Sequence, residues 1–263
     1  MLSLIIPVFN KVELTKRCLD SVLENSRALG EVFVIDNASV DETPEVLKAF
    51  QEKFKKRNIR FEILTNPKNL GFGAACNQGV RLARENFIAI LNNDTWLMRG
   101  WDQALQKEIE RLSIDVVGPF VDERPIGENP QAVADEFLRK SGFRSRRHFV
   151  PILMFFKREA VEALRLPHGG IFDERFFVTY EDTDLMYRMK QLGLRWAQTS
   201  RCYLWHHSMG TRSDPKLLPQ GYEQEGLRIF IEKWGFDPRK PDHTWLGRWS
   251  RRYRKARAAK GLF

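Results

Sequence analysis

"FIAILNNDTWL" (87–97) begins as an apolar run and turns, with no glycine or proline between, into two asparagines and an aspartate. A short apolar run bounded by turn formers reads as a buried strand. Here that strand would deliver two amides and the carboxylate of Asp94 to the end of a sheet. Three earlier runs have the same form, "LSLIIPV" (2–8), "EVFVID" (31–36) and "IRFEILT" (59–65). The stretches between them carry helical spacing: Leu14, Cys18, Leu19, Val22 and Leu23 in the first, then Val46, Leu47, Phe50 and Phe54 after Thr43-Pro44. Asn10 is placed to cap the first helix. The order β-α-β-α-β-α-β predicts an α/β fold, a mostly parallel sheet with helices on both faces. Such sheets bind ligands beyond the carboxyl ends of their strands. Residues 7–10, Asp36-Asn37, 66–73 and 92–94 are therefore expected on one rim.

With 263 residues, 43% of them hydrophobic, the chain can bury one substantial core. No run of about 18 uncharged apolar residues is present, and the N-terminus lacks the basic start of a signal peptide, so a cytoplasmic protein is expected. Cys18, Cys76 and Cys202 lie too far apart for a zinc or redox motif and read as buried or incidental thiols. Of the net charge of +9, residues 237–263 hold nine Lys or Arg against Asp237 and Asp242, a net +7. The basic character thus belongs to a tail.

After about residue 120 the pattern changes. "DERPIGENPQ" (122–131) is loop-like, "FVPILMFF" (149–156) reads as a strand, and "EDTDLMYRMKQLG" (181–193) reads as a helix with Leu185, Met186, Met189 and Leu192 inward. "LRWAQT" (194–199) and "CYLWHH" (202–207) read as two further strands.

Several constellations admit two readings each. Asp36 suits a hydrogen bond to a base or ribose, or a turn. "NPKNLGFGAACNQG" (66–79) sets Gly71 and Gly73 before a helix start, where backbone N–H groups could meet a sugar or an anion, or simply turn the chain. It is no dinucleotide fingerprint, because Cys76 stands where the third glycine belongs and the loop follows the third strand. Asp94 fits a turn or N-cap residue, or a metal centre completed by amide oxygens and two phosphates. Glu181, Asp182 and Asp184 would be stabilised at a helix N-terminus by the dipole, and one of them could act as a general base. Of His206 and His207, alternation lets only one face a site.

Taken in order, "LSLIIPVFN", "NLGFGAACNQG", "LNNDT", "GGIFDERFFVTYEDTDLMYRMKQLG" and "LWHHSMGT" resemble the family-2 nucleotide-sugar glycosyltransferases of GT-A fold, rhamnosyltransferase-like members in particular. The likeness spans most of residues 2–211. It implies a Rossmann-like central sheet and inverting transfer. Pro7, Val8, Asn10, Asp36 and Asn37 then look like the nucleotide pocket, and Asn66, Leu70, Gly71, Ala74 and Asn77 like the wall around base, ribose and diphosphate. Asn92-Asn93-Asp94 takes the place of the family's Asp-x-Asp motif, with Asn93 beside the donor and Asp94 on a Mn2+ or Mg2+ ion. Asp182 matches the catalytic base, and His206 a further metal ligand. Asn92 stands where the first acid of Asp-x-Asp is usual, "GGIFDE" is one residue longer than the usual block, and Met154-Phe155-Phe156 is bulkier than expected.

The resemblance implies a dTDP-rhamnose or UDP-sugar donor and a glycan or lipid-linked acceptor. "TWLGRWSRRYRKARAAKGLF" (244–263) spaces Trp245, Trp249 and Tyr253 four apart among cations. It reads as a helix on an anionic membrane surface, a helix packed on its own domain, or a nucleic-acid contact, the last disfavoured because the charge is confined to the tail. The expected organisation is a transferase domain over 1–236, with a donor half (1–120) and an acceptor half (121–236), followed by the basic tail 237–263. The place implied is the cytoplasm, peripheral on the inner face of the membrane. A non-catalytic nucleotide-sugar or glycan binder with a degenerate metal site is the alternative.

Overall fold

In a computed structural model of the chain, the described residues are 1–125, 127, 129–142, 144–146, 150–207 and 218–240. The tail helix expected over 244–263 lies outside them. Strands β1 (Leu2–Val8), β2 (Leu29–Asp36), β3 (Arg60–Thr65) and β4 (Phe87–Leu91) are separated by helices α1 (Val12–Asn25), α2 (Thr43–Lys55) and α3 (Phe72–Leu82). There follow β5 (Thr95–Leu97), α4 (Trp101–Leu112), β6 (Val116–Asp122), α5 (Pro130–Lys140), β7 (Ser145–Arg146), β8 (Leu153–Lys157), α6 (Arg158–Leu164), α7 (Glu181–Gln191), β9 (Trp196–His206) and α8 (Tyr222–Trp234).

These strands form one sheet in the order β3-β2-β1-β4-β8-β6-β9-β5, with β7 paired to β9. The first four are parallel. Beyond them β4–β8, β6–β8 and β5–β9 are antiparallel, while β6–β9 is parallel. The first strands are apolar without alternation because both faces are covered. Leu4, Ile6 and Val8 of β1 pack with Leu19, Phe50 and Trp101 from α1, α2 and α4. Ile5 of the same strand packs with Val80, Val161 and Met186 from α3, α6 and α7. Fully burying such a side chain contributes about 1.5–3 kcal/mol, so the two cores fix which face each helix takes. The chain turns left of β1 to make β2 and β3 and right of it to make β4, and the crevice at that reversal is where open α/β sheets take ligands.

Several expectations are corrected. The segments expected as two strands over 194–199 and 202–207 are one strand, β9. Its pairing with β6 jumps from Pro119↔Thr199 to Phe120↔Tyr203, a bulge that looks like a strand break in sequence. Leu192, expected inward, is 52% exposed because α7 has ended at Gln191. Asn10 does not cap α1: that helix starts after Lys11 in the left-handed region, and the Val12 N–H donates to Asp41 Oδ2 at 3.0 Å. No helix among the described residues is long and apolar enough to cross a membrane.

Candidate active site

Strand β4 ends at Leu91, and the Asn93-Asp94 turn passes the chain into β5, which runs back antiparallel to the end of β9 with Thr95 opposite His206. The turn is held from three sides. Asn92 N–H donates to Ile152 O at 3.0 Å, Asn93 Nδ2 donates to Thr15 Oγ1 at 2.8 Å, and His207 N–H donates to Asp94 O at 2.8 Å. Asp94 thus stands at the end of a strand and caps no helix. The ladder sets His206 beside it: Nε2 lies 3.3 Å from Asp94 Oδ1, and Nδ1 lies 3.1 Å from Glu123 Oε1. His207 turns away, its ring edge-on to Trp205. Burial opposes charge on His206, but the two carboxylates outweigh it and push its pKa up to about 9.

Residues from every strand end named above close a cavity of about 230 Å³. Pro7 and Val8 end β1 and Phe9 follows it, Asn37 directly follows β2, and Asn69, Gly71 and Phe72 lead into α3. Asn92, Asn93 and Asp94 meet them, with Pro151 and Ile152, Phe177 and Val178, and Leu218 around the mouth. Four carboxylates line it, Asp94, Glu123, Glu181 and Asp182, with His206, and no Lys or Arg does so among the described residues. A larger open groove of about 640 Å³ runs along α1 past Lys16, Arg17 and Trp96, and holds none of the strand-end polar residues.

The three acids of "EDTDL" separate. Asp182 lines the cavity and its Oδ1 accepts from Thr183 N–H at 2.6 Å and from Thr183 Oγ1 at 3.2 Å. Glu181 lines the cavity too, while Asp184 is fully buried and accepts from Arg188 Nε at 3.0 Å.

The residues expected on the donor side divide likewise. Asn37 joins an amide chain: its Nδ2 donates to Asn69 Oδ1 at 2.7 Å, and its Oδ1 accepts from Asn66 Nδ2 and from Leu70 N–H, each at 3.0 Å. Gln78 Nε2 extends the chain to Asn66 Oδ1 at 2.9 Å. Asn66 and the Leu70 backbone thus act behind Asn37 rather than on the cavity. Asp36 is 1% exposed, and its Oδ1 accepts from Ser39 N–H at 2.9 Å; Asn10 Oδ1 holds the same loop through Val40 N–H at 2.8 Å.

Asn77 and Ala74 are not cavity wall, and their expected place is corrected. Ala74 packs into the body of α3 at 8% exposure. Asn77 is fully buried, with Oδ1 accepting from Ile171 and Phe172 N–H and Nδ2 donating to Phe172 O and Glu174 Oε1. It clips the 171–177 segment onto α3.

The glycines serve the same clip. A Cβ on Gly73 would lie 2.9 Å from Phe172 Cβ, and one on Gly71 would lie 2.9 Å from the carbonyl carbon of Phe177 and closer still to its oxygen. Phe72 N–H at the helix start already donates to Phe177 O at 2.9 Å. Close approach of the Phe177 backbone explains Gly71, and close approach of the Phe172 side chain explains Gly73.

All three cysteines are buried, and burial raises each thiol, Cys18 up to about 12. Glu123 and Asn69 line the cavity without being singled out as candidates from sequence. Glu123 sits in the charged stretch that reads as loop, and Asn69 is masked by the Pro and Gly around it.

A cation can be tested against these residues. No group of three His, Cys, Asp or Glu side chains among the described residues could hold a metal ion. The approach of His206 to Asp94 is an ion-pair contact without hydrogen-bond alignment, however, and both Asp94 Oδ1 and Asn92 Oδ1 are buried without a hydrogen-bond partner. Such oxygens cost about 1–3 kcal/mol each when left unmatched. The turn therefore suits a cation whose remaining ligands come with a bound diphosphate.

The chain belongs to the family described as Glycosyl transferase family 2, whose model matches residues 3–169. The nine strands of the sheet among the described residues have the GT-A arrangement: the match covers 89% of the chain and 49% of the crystal structure of GalNAc-T7 with UDP, GalNAc and Mn2+, at TM-score 0.67 and 18% identity. Among curated relatives it is 26% identical over 118 residues to the uncharacterized glycosyltransferase EpsJ of Bacillus subtilis, covering 45% of this chain and 33% of EpsJ. It is also 26% identical over 227 residues to the succinoglycan biosynthesis protein ExoO of Rhizobium meliloti, covering 80% of this chain and 61% of ExoO. The chain thus spans less than two thirds of either relative's length.

Proposed function

We propose that the chain transfers a hexosyl or rhamnosyl unit with inversion, from a nucleotide-diphosphate sugar to a hydroxyl of a bacterial surface polysaccharide or a lipid-linked acceptor. The observation that supports this is the meeting of Asp94, His206 and Asp182 on one cavity with Pro7, Val8, Asn37 and Gly71. Asn37, braced by Asn66 and Leu70, and Asp36, fixed by Ser39, hold the nucleotide. Asp182, held by Thr183, takes the proton of the acceptor hydroxyl as its oxygen bonds to the anomeric carbon. The bond from that carbon to the phosphate breaks, and the nucleotide diphosphate departs with the electron pair. A Mn2+ or Mg2+ ion bound by Asp94 and His206, with Asn92 Oδ1 beside them, would neutralise charge on the departing diphosphate. The four cavity carboxylates make such neutralisation necessary, since a bare diphosphate would be repelled.

Thymidine diphosphate rhamnose and uridine diphosphate hexoses are the donors the reading favours. The name of ExoO, a succinoglycan biosynthesis protein, supports a polysaccharide product. The basic tail supports a place at the inner membrane surface.

The test is Asp182→Asn. Transfer should fall at least about 10²-fold, while the thermal shift produced by UDP and manganese stays as in the unaltered protein. Near-normal transfer would remove Asp182 from the role of base. Binding of nucleotide sugar without any release of nucleotide by the unaltered protein would favour the binder reading.

A further inference from the structure

The acid that ends "EDTD" has no place in the transfer step, yet it is the most enclosed of the three. Asp184 is fully buried, accepts hydrogen bonds from two N–H donors and forms an ion pair with an ammonium. Arg188 Nε, on its own helix, lies at 3.0 Å, and α8 supplies the others, Lys233 Nζ at 2.8 Å and Trp234 Nε1 at 2.9 Å. A buried carboxylate left short of partners is strongly unfavourable, so these bonds hold the first turn of α7 against α8.

The same ammonium reaches Asp173 Oδ2 at 2.8 Å. Asp173 lies within the segment that Asn77 clips and that closes over Gly71 and Phe72. One cation therefore ties the turn that carries Asp182 to the strap that covers the donor loop.

The backbone between the two is under strain. Tyr180, directly before α7, holds φ 69°, a left-handed conformation that costs a non-glycine residue about 1–2 kcal/mol. α8 sits on that residue: Phe230 packs against the Tyr180 ring at 6.0 Å, and a Cβ on Gly226 would lie 3.0 Å from Thr179 O. Strain of this kind persists only where the surroundings over-determine it.

We propose that Lys233 and Trp234 are positioning residues for Asp182, acting through Asp184, so that α8 fixes where the base stands relative to the donor. This rests on the reading of Asp182 as the base. Lys233→Met and Trp234→Phe are the variants; the second removes the indole N–H and the five-membered part of the ring but leaves a six-membered aromatic ring against Tyr187, and the two together guard against a folding defect in either one. Amide exchange over residues 180–185 should quicken about tenfold in both, with β1 and β2 unchanged. Nucleotide release from UDP-glucose or dTDP-rhamnose with manganese should show kcat reduced about tenfold or more, because misplacing a reacting group is costly. Donor KM should stay within about twofold, and Lys233→Arg should recover most of the rate.

Unchanged exchange at 180–185 in both variants overturns the proposal, as does raised exchange with unaltered kcat. Asp182→Asn, run in parallel, separates the two ideas: normal turnover there defeats the base assignment, whereas the exchange data judge the brace alone.

Discussion

Replacing Gly71 with alanine tests whether the glycine loop is shaped by a ligand or by the protein itself. Gly71 has φ 87° and ψ 168°, a region that is essentially glycine-only and costs other residues about 1–3 kcal/mol. The added Cβ would also press on Phe177 at 2.9 Å from its carbonyl carbon, and relief means moving a carbonyl that accepts from Phe72 N–H at 2.9 Å. Losing that bond adds about 1 kcal/mol. The sum is about 3 kcal/mol, which for a domain of this size lowers Tm by roughly 6–12 °C. Gly193→Ala is the control: its φ of 69° carries strain, but a Cβ there meets nothing within 4 Å. It should cost only about 1 kcal/mol and a correspondingly small shift. Thermal unfolding without nucleotide reads both. If Gly71→Ala unfolds within about 2 °C of the unaltered protein, the glycine is not held by the strap, and ligand approach returns as its explanation.

Cys18, Cys76 and Cys202 should resist a thiol reagent at pH 8 in the native protein and react together on unfolding, because burial keeps all three protonated; fast native labelling would contradict the packing under α1, α3 and β9. Burial alone would raise the pKa values of Glu108, Asp122 and Asp173, but the donors on them win: Arg111, Arg124, and Arg175 with Lys233, respectively, hold each below the ordinary carboxylate range. Carboxylates depressed in the folded state stabilise it above their unfolded pKa and lose that contribution as pH falls through the folded value. The contribution of these carboxylates to Tm should therefore be constant from neutrality to about pH 5 and be lost below about pH 4, and Lys233→Met should flatten the fall. Vesicles of anionic lipid at low salt should sediment the full chain and not one ending at residue 240; equal sedimentation of both would remove the tail from membrane binding.

The parallel half of the fold is legible in sequence because its strands are buried on both faces and end in turn formers; Phe87–Leu91 and Leu2–Val8 appear with the expected bounds. The mixed half is not. β5 is three residues long and exists only because β9 pairs with it, and a bulge interrupts β9 where its alternation would have been read. The candidate site residues follow the same division. Pro7, Val8, Asn37 and Asp94 lie at strand ends, so order along the chain places them. Glu123 reaches His206 only through the pairing of β6 with β9, a long-range contact that no local spacing announces. Asn77 carries an opposite lesson: a polar residue on a helix facing the rim can serve wholly as the partner of another segment's backbone.

The pairing of Thr95 with His206 has one more effect. Asp94 and His206 are more than a hundred positions apart, yet three ladder pairs between β5 and β9 set them side by side. Gly127, exposed in that interval, marks a place where length can be added without moving either residue. On the proposed function, a segment added there could alter what the protein recognises while the Asp94–His206 pair stays in register.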